Sequence, residues 1–506
     1  MSITKNFIKN LASNYFILFL KIIYSILFVP IILNVYGEAQ FGMYMLIFGL
    51  TYTIGFFDFG AGKSVLKYAA EYKADNDRNK FQEAFSVNIS LILISSVVIF
   101  LLIMLLSLWA GPLFNIEADQ LQLARTVFIV SALNGVVLFL DYIPSNILTG
   151  FSYFHKRNKL QLLPLALNMG LLYIVAVLSK ITLIQYCLLT TGINLIFLIG
   201  DIILLRSIPE MREVKFALHF KKDLLSNKYT KFSIVLFAIS AVGFLGIQSD
   251  RIILASIINI SAVTIYTIVT RPYFLLKTIM GSSYSVIQPI LIKTQLLDEE
   301  RFFGILERFT RISFIMIFSV VLIFSIFFET IMRLWLSTAN YDEYTIWGIF
   351  ALINICIPTL YGAISRTLLL TTGSGNLLKY NSIAITINFI SSIFLVYYIG
   401  FQGVIIGTTI QFIFEFYVIN LISIKHLKFP LRRIFSKDFV LYSLLLLATA
   451  VIFRLIFEGM APLVTGQFML LLSMTIVVFG ILNYLFISNT GYGFLFRRSY
   501  WQNINS

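Results

Sequence analysis

Fourteen long apolar segments divide this chain, and they constrain its fold more than any other feature. Each holds about 20 mainly apolar residues, the length of a helix that crosses a bilayer. Charged residues make up only 12% of the 506 residues, about half the share of a soluble domain, and hydrophobic residues make up 59%. We therefore predict an all-α polytopic membrane protein with about fourteen transmembrane helices. The predicted segments are 14–34, 41–58, 84–110, 123–149, 161–179, 183–204, 231–248, 261–285, 309–330, 344–371, 381–400, 402–424, 438–457 and 464–487.

The placement of lysine and arginine predicts which connections lie inside. Most of the 38 cations fall in alternate connections, such as 61–83, 151–160, 205–231 and 423–438. The intervening connections, such as 35–40, 111–122 and 458–465, carry none. The positive-inside rule then places both termini in the cytoplasm. Topology accounts for the net charge of +14, so no nucleic-acid partner is predicted.

No pattern typical of an enzyme site appears in the sequence. It has no glycine-rich phosphate loop and no nucleophile elbow, and its three histidines fall in predicted loops. Cys187 and Cys356 lie far apart in separate apolar segments, which predicts neither a disulfide nor a metal site. Because every predicted outer connection is short, a polysaccharide polymerase with a large outer loop is the least favoured of the functions considered.

The first and second halves of the chain repeat one another at an offset of about 222 residues. Gln40–Tyr44 aligns with Ala262–Tyr266, and Thr149-Gly150 aligns with Thr372-Gly373. Six spans per repeat predict two parallel six-helix bundles, related by a pseudo-twofold axis along the membrane normal with the substrate path between them. The predicted domains are the N-terminal bundle (1–204), a basic cytoplasmic linker (205–230), the C-terminal bundle (231–424), and helices 13 and 14 with a cytoplasmic tail (425–506).

A set of short motifs resembles the polysaccharide-biosynthesis flippases. These are the Wzx-type members of the multidrug/oligosaccharidyl-lipid/polysaccharide exporter superfamily. The most specific part of the resemblance is the junction of the first two segments, through Asp58-Phe59-Gly60. The motifs are Pro30, Tyr36-Gly37-Glu38, Phe41-Gly42-x-Tyr44, Asp58-Phe59-Gly60 and Leu148-Thr149-Gly150.

The resemblance implies a protein of the bacterial inner membrane that is a transporter and not an enzyme. It would move undecaprenyl-pyrophosphate-linked oligosaccharide from the cytoplasmic to the outer leaflet by alternating access, among membrane lipids. A polysaccharide polymerase and a chain-length regulator are the expected protein partners. No cofactor is expected, and proton, sodium or the membrane potential is the expected coupling source. A multidrug or cation antiporter of the same superfamily is the alternative function.

An anionic pyrophosphate requires cations along the path, and cations inside apolar segments are costly. Lys21 lies about two turns into the first segment and shares a helix face with Asn14 and Ser25. We predict that Lys21 faces the substrate cavity; the alternative is that it extends to the interface.

Three further cations are predicted to bind substrate in the second half. Arg271, before Pro272, suits bidentate phosphate binding, and its alternative is an ion pair with Asp58, Asp141 or Glu415. Lys277 shares a polar aromatic stripe with Tyr273, which suits either sugar stacking or packing. Arg366 lies about six residues from the inner end of its segment, where cavity and interface remain equal alternatives. The stripe comprises Tyr266, Thr270, Tyr273 and Tyr284.

Three acidic residues are candidates for coupling or gating. Asp141 shares a helix face with Asn134, and Glu415 shares one with Gln411. Either is predicted to bind a proton or sodium ion, or to pair with a cation of the other bundle. Asp58 ends the second segment, and we predict a gating or structural role for it.

Overall fold

The computed structural model describes most of the chain. The described residues are 3–54, 64–65, 68–69, 71–72, 77–151, 153–178, 180–212, 214–215, 218, 246, 248–297, 299–336, 342–371, 374–459 and 465–489. Asp58 and most of the predicted linker 205–230 lie outside these residues, and so does most of the seventh predicted segment.

The described residues form an all-α structure, as predicted. The helices are α1 (Ile3–Ile54), α2 (Arg78–Leu108), α3 (Ala110–Phe114), α4 (Leu121–Gly150), α5 (Phe154–Leu178), α6 (Leu183–Ser207), α7 (Ile260–Val269), α8 (Arg271–Leu297), α9 (Glu299–Leu336), α10 (Thr345–Ile353), α11 (Cys356–Thr371), α12 (Ser374–Ile399), α13 (Gln402–Leu427), α14 (Lys437–Gly459) and α15 (Thr465–Asn489).

Eleven helical stretches in the described part of the chain are long and apolar enough to cross a membrane. This number is compatible with fourteen predicted segments for three reasons. The first two segments count as one stretch because only Gly37 separates them, most of the seventh lies outside the described residues, and the eighth divides into the short α7 and the more polar α8. The chain is a multi-pass membrane protein.

The predicted connection at 35–40 is confirmed, although it is shorter than predicted. Helix α1 is interrupted at Gly37, whose φ of 76° and ψ of 174° are not helical. Glycine reaches positive φ without the clash that a Cβ atom causes, so a single residue is enough to redirect the chain. The chain turns back there, because the Phe28 ring lies 5.5 Å from the Tyr44 ring on the other side of the break. The two predicted segments are therefore the two arms of a helical hairpin.

The tenth predicted segment, 344–371, is also broken. Helix α10 ends at Ile353 and α11 begins at Cys356, two residues before Pro358. Proline lacks the N–H that would bond to the carbonyl of Asn354 and disfavours the continuing helix. The buried Asn354 side chain bonds across to α13 instead, accepting from Thr409 Oγ1 at 3.0 Å.

The chain divides into two compact units. The first comprises residues 1–267 with 396–401, and the second comprises 268–395 with 402–506. In the first unit α4 packs between α2 and α6, and α5 packs against α1 and α6. In the second unit α11 packs between α9 and α13. Helix starts in the second unit follow those of the first by similar intervals: α9 begins 221 residues after α2 (299 − 78), and α10 begins 224 residues after α4 (345 − 121).

The chain that follows α6 is anchored to the first unit. Met211 and Val214 are buried in a core cluster with Phe81 and Phe151. The Gln82 side chain pairs with the Lys215 backbone in both directions, at 2.7 and 2.8 Å.

The same end of the unit holds a polar contact that raises the pKa of a tyrosine. Tyr153 Oη donates to Glu210 at 3.2 Å. Burial of the ring and the adjacent Glu210 carboxylate raise the pKa of Tyr153. Because this tyrosine lies between α4 and α5, the contact ties the α4–α5 connection to the chain after α6.

The second arm of α1 approaches α7 closely within the first unit. Thr264 Oγ1 donates to the Glu38 carbonyl at 2.6 Å. A Cβ atom at Gly42 would lie 2.3 Å from the Ile260 carbonyl oxygen and 2.7 Å from Thr264 Oγ1. Only glycine fits this contact without a shift of one of the two helices.

Candidate functional site

A charged cluster in the first unit is centred on Arg157 of α5. Its Nε lies 2.8 Å from Asp201 Oδ2 on α6, and its Nη2 lies 3.1 Å from Asp141 Oδ2 on α4. The Asp201 side chain is fully buried, and those of Asp141 and Arg157 are 16% and 18% exposed. One guanidinium therefore holds two carboxylates from two other helices. Such charge-assisted contacts fix both geometry and register.

Lys21 lies beside this charged cluster. Its Nζ donates to Gln161 Oε1 at 3.4 Å, and Gln161 lies one turn beyond Arg157 on α5. The Lys21 side chain is exposed rather than covered by protein. Among the described residues this long contact is the one polar bond of the Lys21 ammonium, which leaves donors for another acceptor. Its predicted cavity role stays a prediction.

Polar pairs continue from the charged cluster along the contact between α4 and α6. Asn194 Nδ2 donates to Asn134 Oδ1 at 2.8 Å. Each asparagine precedes an aspartate of the cluster by seven residues, so both pairs lie along the same strip of the two helices. Further along, Thr51 and Ser131 exchange a hydrogen bond of 2.6 Å in the core. These polar side chains follow one line through the interior of the unit, although its helices are mainly apolar.

Glu415 is held by two donors in the second unit. Tyr361 Oη donates to Glu415 Oε2 at 2.5 Å, and Gln411 Nε2 donates to Oε1 at 2.7 Å. The tyrosine comes from α11 and the other two residues from α13. Both carboxylate oxygens are therefore engaged within this unit. The predicted coupling role of Glu415 stays a prediction.

Replacing Tyr361 with phenylalanine is expected to destabilise the protein by about 1.5–3 kcal/mol, because the half-buried Glu415 carboxylate then loses one of its two donors. Tyr397→Phe is the matched control, since that ring is 72% exposed. Thermal unfolding of both purified variants measures the difference. Equal midpoints for the two variants would contradict the expected role of the Tyr361 hydroxyl.

Two cations of the second unit lie over tyrosine rings. The Arg366 guanidinium carbon is 5.3 Å from the centre of the Tyr284 ring, and Lys277 Nζ is 5.5 Å from that of Tyr273. Both rings are 6% exposed. A Cβ atom at Gly362 would lie 2.6 Å from Tyr284 Oη, so the ring packs closely on α11. These tyrosines pack inside the protein and orient cations; stacking on sugar stays a prediction.

The remaining predicted site residues are placed as follows. Arg271 is the first residue of α8, half-buried, directly after the interruption at Thr270. Its predicted role in substrate binding and the alternative of an ion pair with Asp58, Asp141 or Glu415 both stay predictions. Asp58 lies outside the described residues, so its gating role stays a prediction.

Sequence reasoning missed two members of the charged cluster. Arg157 was assigned to the basic connection 151–160, and Asp201 lay near the end of an apolar segment. One signal was available: Asn and Asp are spaced by seven residues both at Asn134/Asp141 and at Asn194/Asp201. Equal spacing on two helices predicts two polar pairs along one contact.

The chain matches a known protein family over more than half of its length. Residues 4–295 match the family described as "Polysaccharide biosynthesis protein". No curated protein sequence matches significantly.

Solved structures that are similar to this fold include the following two. "Lipid II flippase MurJ, inward closed conformation" superposes with a TM-score of 0.71 at 15% identity, covering 96% of this chain and 99% of that one. "Inward-facing conformation of a multidrug resistance MATE family transporter of the MOP superfamily" gives 0.64 at 13% identity, covering 80% and 95%. At these identities the likeness concerns the fold.

Proposed function

Because the chain belongs to the polysaccharide biosynthesis protein family, we propose that it is a flippase for undecaprenyl-pyrophosphate-linked oligosaccharide. The cargo would pass from the cytoplasmic to the outer leaflet by alternating access. Its anionic pyrophosphate would be held by cations of the membrane-spanning helices. The similarity in fold to a lipid II flippase supports a lipid-linked saccharide as the class of cargo.

The observation that carries this proposal is the presence of cations within apolar helices of each unit. Lys21 and Arg157 lie together in the first unit, and Lys277 and Arg366 lie in the second. Ionised side chains at membrane depth are costly and mark substrate or ion pathways. Ammonium and guanidinium groups are the donors that bind phosphate oxygens most strongly. A path lined by cations attracts an anionic headgroup and repels a cationic drug.

The proposed setting follows from the same reasoning. The protein would lie in the bacterial inner membrane with both termini cytoplasmic. A polysaccharide polymerase and a chain-length regulator would act on the flipped product. Drug resistance conferred by the chain, without any effect on polysaccharide, would favour the antiporter of the same superfamily instead.

The double variant Lys21→Ala/Arg271→Ala is expected to slow flipping about a hundredfold. Each lost cation removes a charge-assisted contact to the pyrophosphate, on the order of 1.4 kcal/mol or tenfold in rate. The measurement is lipid-linked glycan exposed on the outer face of cells lacking the native protein and expressing the variant at equal level.

The matched control is Arg125→Ala/Lys180→Ala, which removes two exposed cations at helix ends. Full outer-face exposure of glycan with the Lys21/Arg271 variant would contradict the cationic path. Loss with both double variants would mean that net charge, and not the position of the cations, limits flipping.

A further inference from the structure

The three residues of the charged cluster carry more negative than positive charge, and the cation beside them, Lys21, is exposed and donates to Gln161 rather than to either aspartate. Asp141, Asp201 and Arg157 together bear two negative charges and one positive charge when ionised. Asp201 is fully buried, and the other two side chains are less than one-fifth exposed. An uncompensated charge in a low-dielectric interior costs several kcal/mol. Uptake of one proton would bring the net charge of these three groups to zero.

Both carboxylates have a second oxygen that bonds to nothing in the described part of the chain. Arg157 donates to Oδ2 of each aspartate, while the buried Oδ1 atoms of Asp141 and Asp201 have no donor there. A buried acceptor without a donor is unfavourable. A protonated carboxyl supplies an O–H donor where an ionised one supplies none.

A separate observation extends this site along the contact of α4 and α6. Asn134 is fully buried, and its Nδ2 finds no acceptor among the described residues. It lies two turns from Asp141, about 10 Å along the helix. With Asn194 and the Thr51–Ser131 pair it forms a line of polar groups through an apolar bundle.

The fold does not need these three charges in both halves of the chain. At the repeat offset of 223, the positions of Asp141, Arg157 and Asp201 are occupied by Ile364, Tyr380 and Ile424. Helices α11, α12 and α13 form without these charges. Two ion pairs deep in one unit, absent from its repeat, require a role of their own.

We propose that Asp141 and Asp201 bind one proton between them, and that its uptake releases Arg157 from one carboxylate. The proton comes from water and returns to water, and no covalent bond other than O–H forms or breaks. A guanidinium with one partner instead of two can turn towards Lys21 and Gln161. This second step rests on the proposed function, because there it would bind the pyrophosphate of the cargo.

The charged groups that face this site come from four helices. They are Lys21 of α1, Asp141 of α4, Arg157 of α5 and Asp201 of α6, while His155 is the nearest histidine along α5. A metal cation is disfavoured, since the described residues hold no group of three acidic, histidine or cysteine ligands. Hard cations require about six oxygen ligands. A proton requires two.

Infrared spectroscopy of the purified protein in lipid nanodiscs tests the proton site without any cargo. We expect a protonated-carboxyl band that disappears as the pH rises, and that is missing in Asp141→Asn and in Asp201→Asn. Each single variant keeps one neutral ion pair with Arg157, so both are expected to fold. Asp119→Asn, at an exposed connection, is the control and keeps the band. The band excludes His155 as its source.

The inference would be overturned by the absence of a titrating carboxyl band in the native protein, or by a band that persists when both aspartates are replaced. A spectrum that responds to sodium at fixed pH, and not to pH, would assign the site to sodium and reject the proton. The flipping assay separates the two proposals. A titrating band without flipping would leave the proton site standing and reject the cargo, whereas flipping without the band would do the reverse.

Discussion

Arg157→Gln is expected to destabilise the protein by about 3–5 kcal/mol, because it leaves two carboxylates buried without their shared cation. Glutamine retains part of the stem and a donor but no charge. The measurement is the fraction of monodisperse protein after purification, together with its thermal midpoint. The loss should shrink at acidic pH, where both aspartates become neutral and no longer need a cation.

Two further variants identify the cause of this loss. Arg125→Gln, on an exposed face of α4, is the matched control and should unfold like the native protein. The triple variant Arg157→Gln/Asp141→Asn/Asp201→Asn removes all three charges and should regain most of the stability. If it remains as unstable as Arg157→Gln alone, the arginine acts through its packing on Phe197, whose ring centre is 5.4 Å away, and not through its charge.

The sequence was sufficient to predict most helices of this fold. Long apolar runs leave few alternatives to spanning helices, since lipid cannot satisfy exposed backbone groups. The predicted segment 183–204 thus corresponds to α6, and 438–457 to α14. The break inside the predicted segment 344–371 was harder to predict, because a proline such as Pro358 is compatible with either a kinked helix or a broken one.

The partners of the charged residues could not be predicted in the same way. Helices that are apolar on all sides give no indication of which face meets which neighbour. The bond from Arg157 to Asp201 depends on how α5 and α6 pack together. This packing is set by the tertiary structure and not by a local sequence pattern. A cation near a helix end also has two explanations: it follows the positive-inside rule, or it belongs to a functional site. Arg157 satisfies both, and the sequence favoured topology.

The contact between α1 and α7 depends on one glycine, Gly42, because it has no side chain. The Gly42 site is bounded by the Ile260 carbonyl, which is backbone and cannot rotate away. Thr264 secures the same contact by its bond to the Glu38 carbonyl. Small residues let helix backbones approach closely in membranes, where packing replaces the hydrophobic effect.

Gly42→Ala is therefore expected to cost about 1–3 kcal/mol through overpacking, even though alanine favours helix by about 1 kcal/mol. Gly170→Ala in α5 is the matched control, because a Cβ there meets nothing within 4 Å, and it should be neutral or stabilising. Thermal unfolding compares their stabilities. Labelling of a cysteine placed at Ser261, beside this contact, should speed up in the Gly42 variant as α7 moves from α1. Unchanged labelling and unfolding in Gly42→Ala would show that the two helices separate enough in the native protein to admit a methyl group.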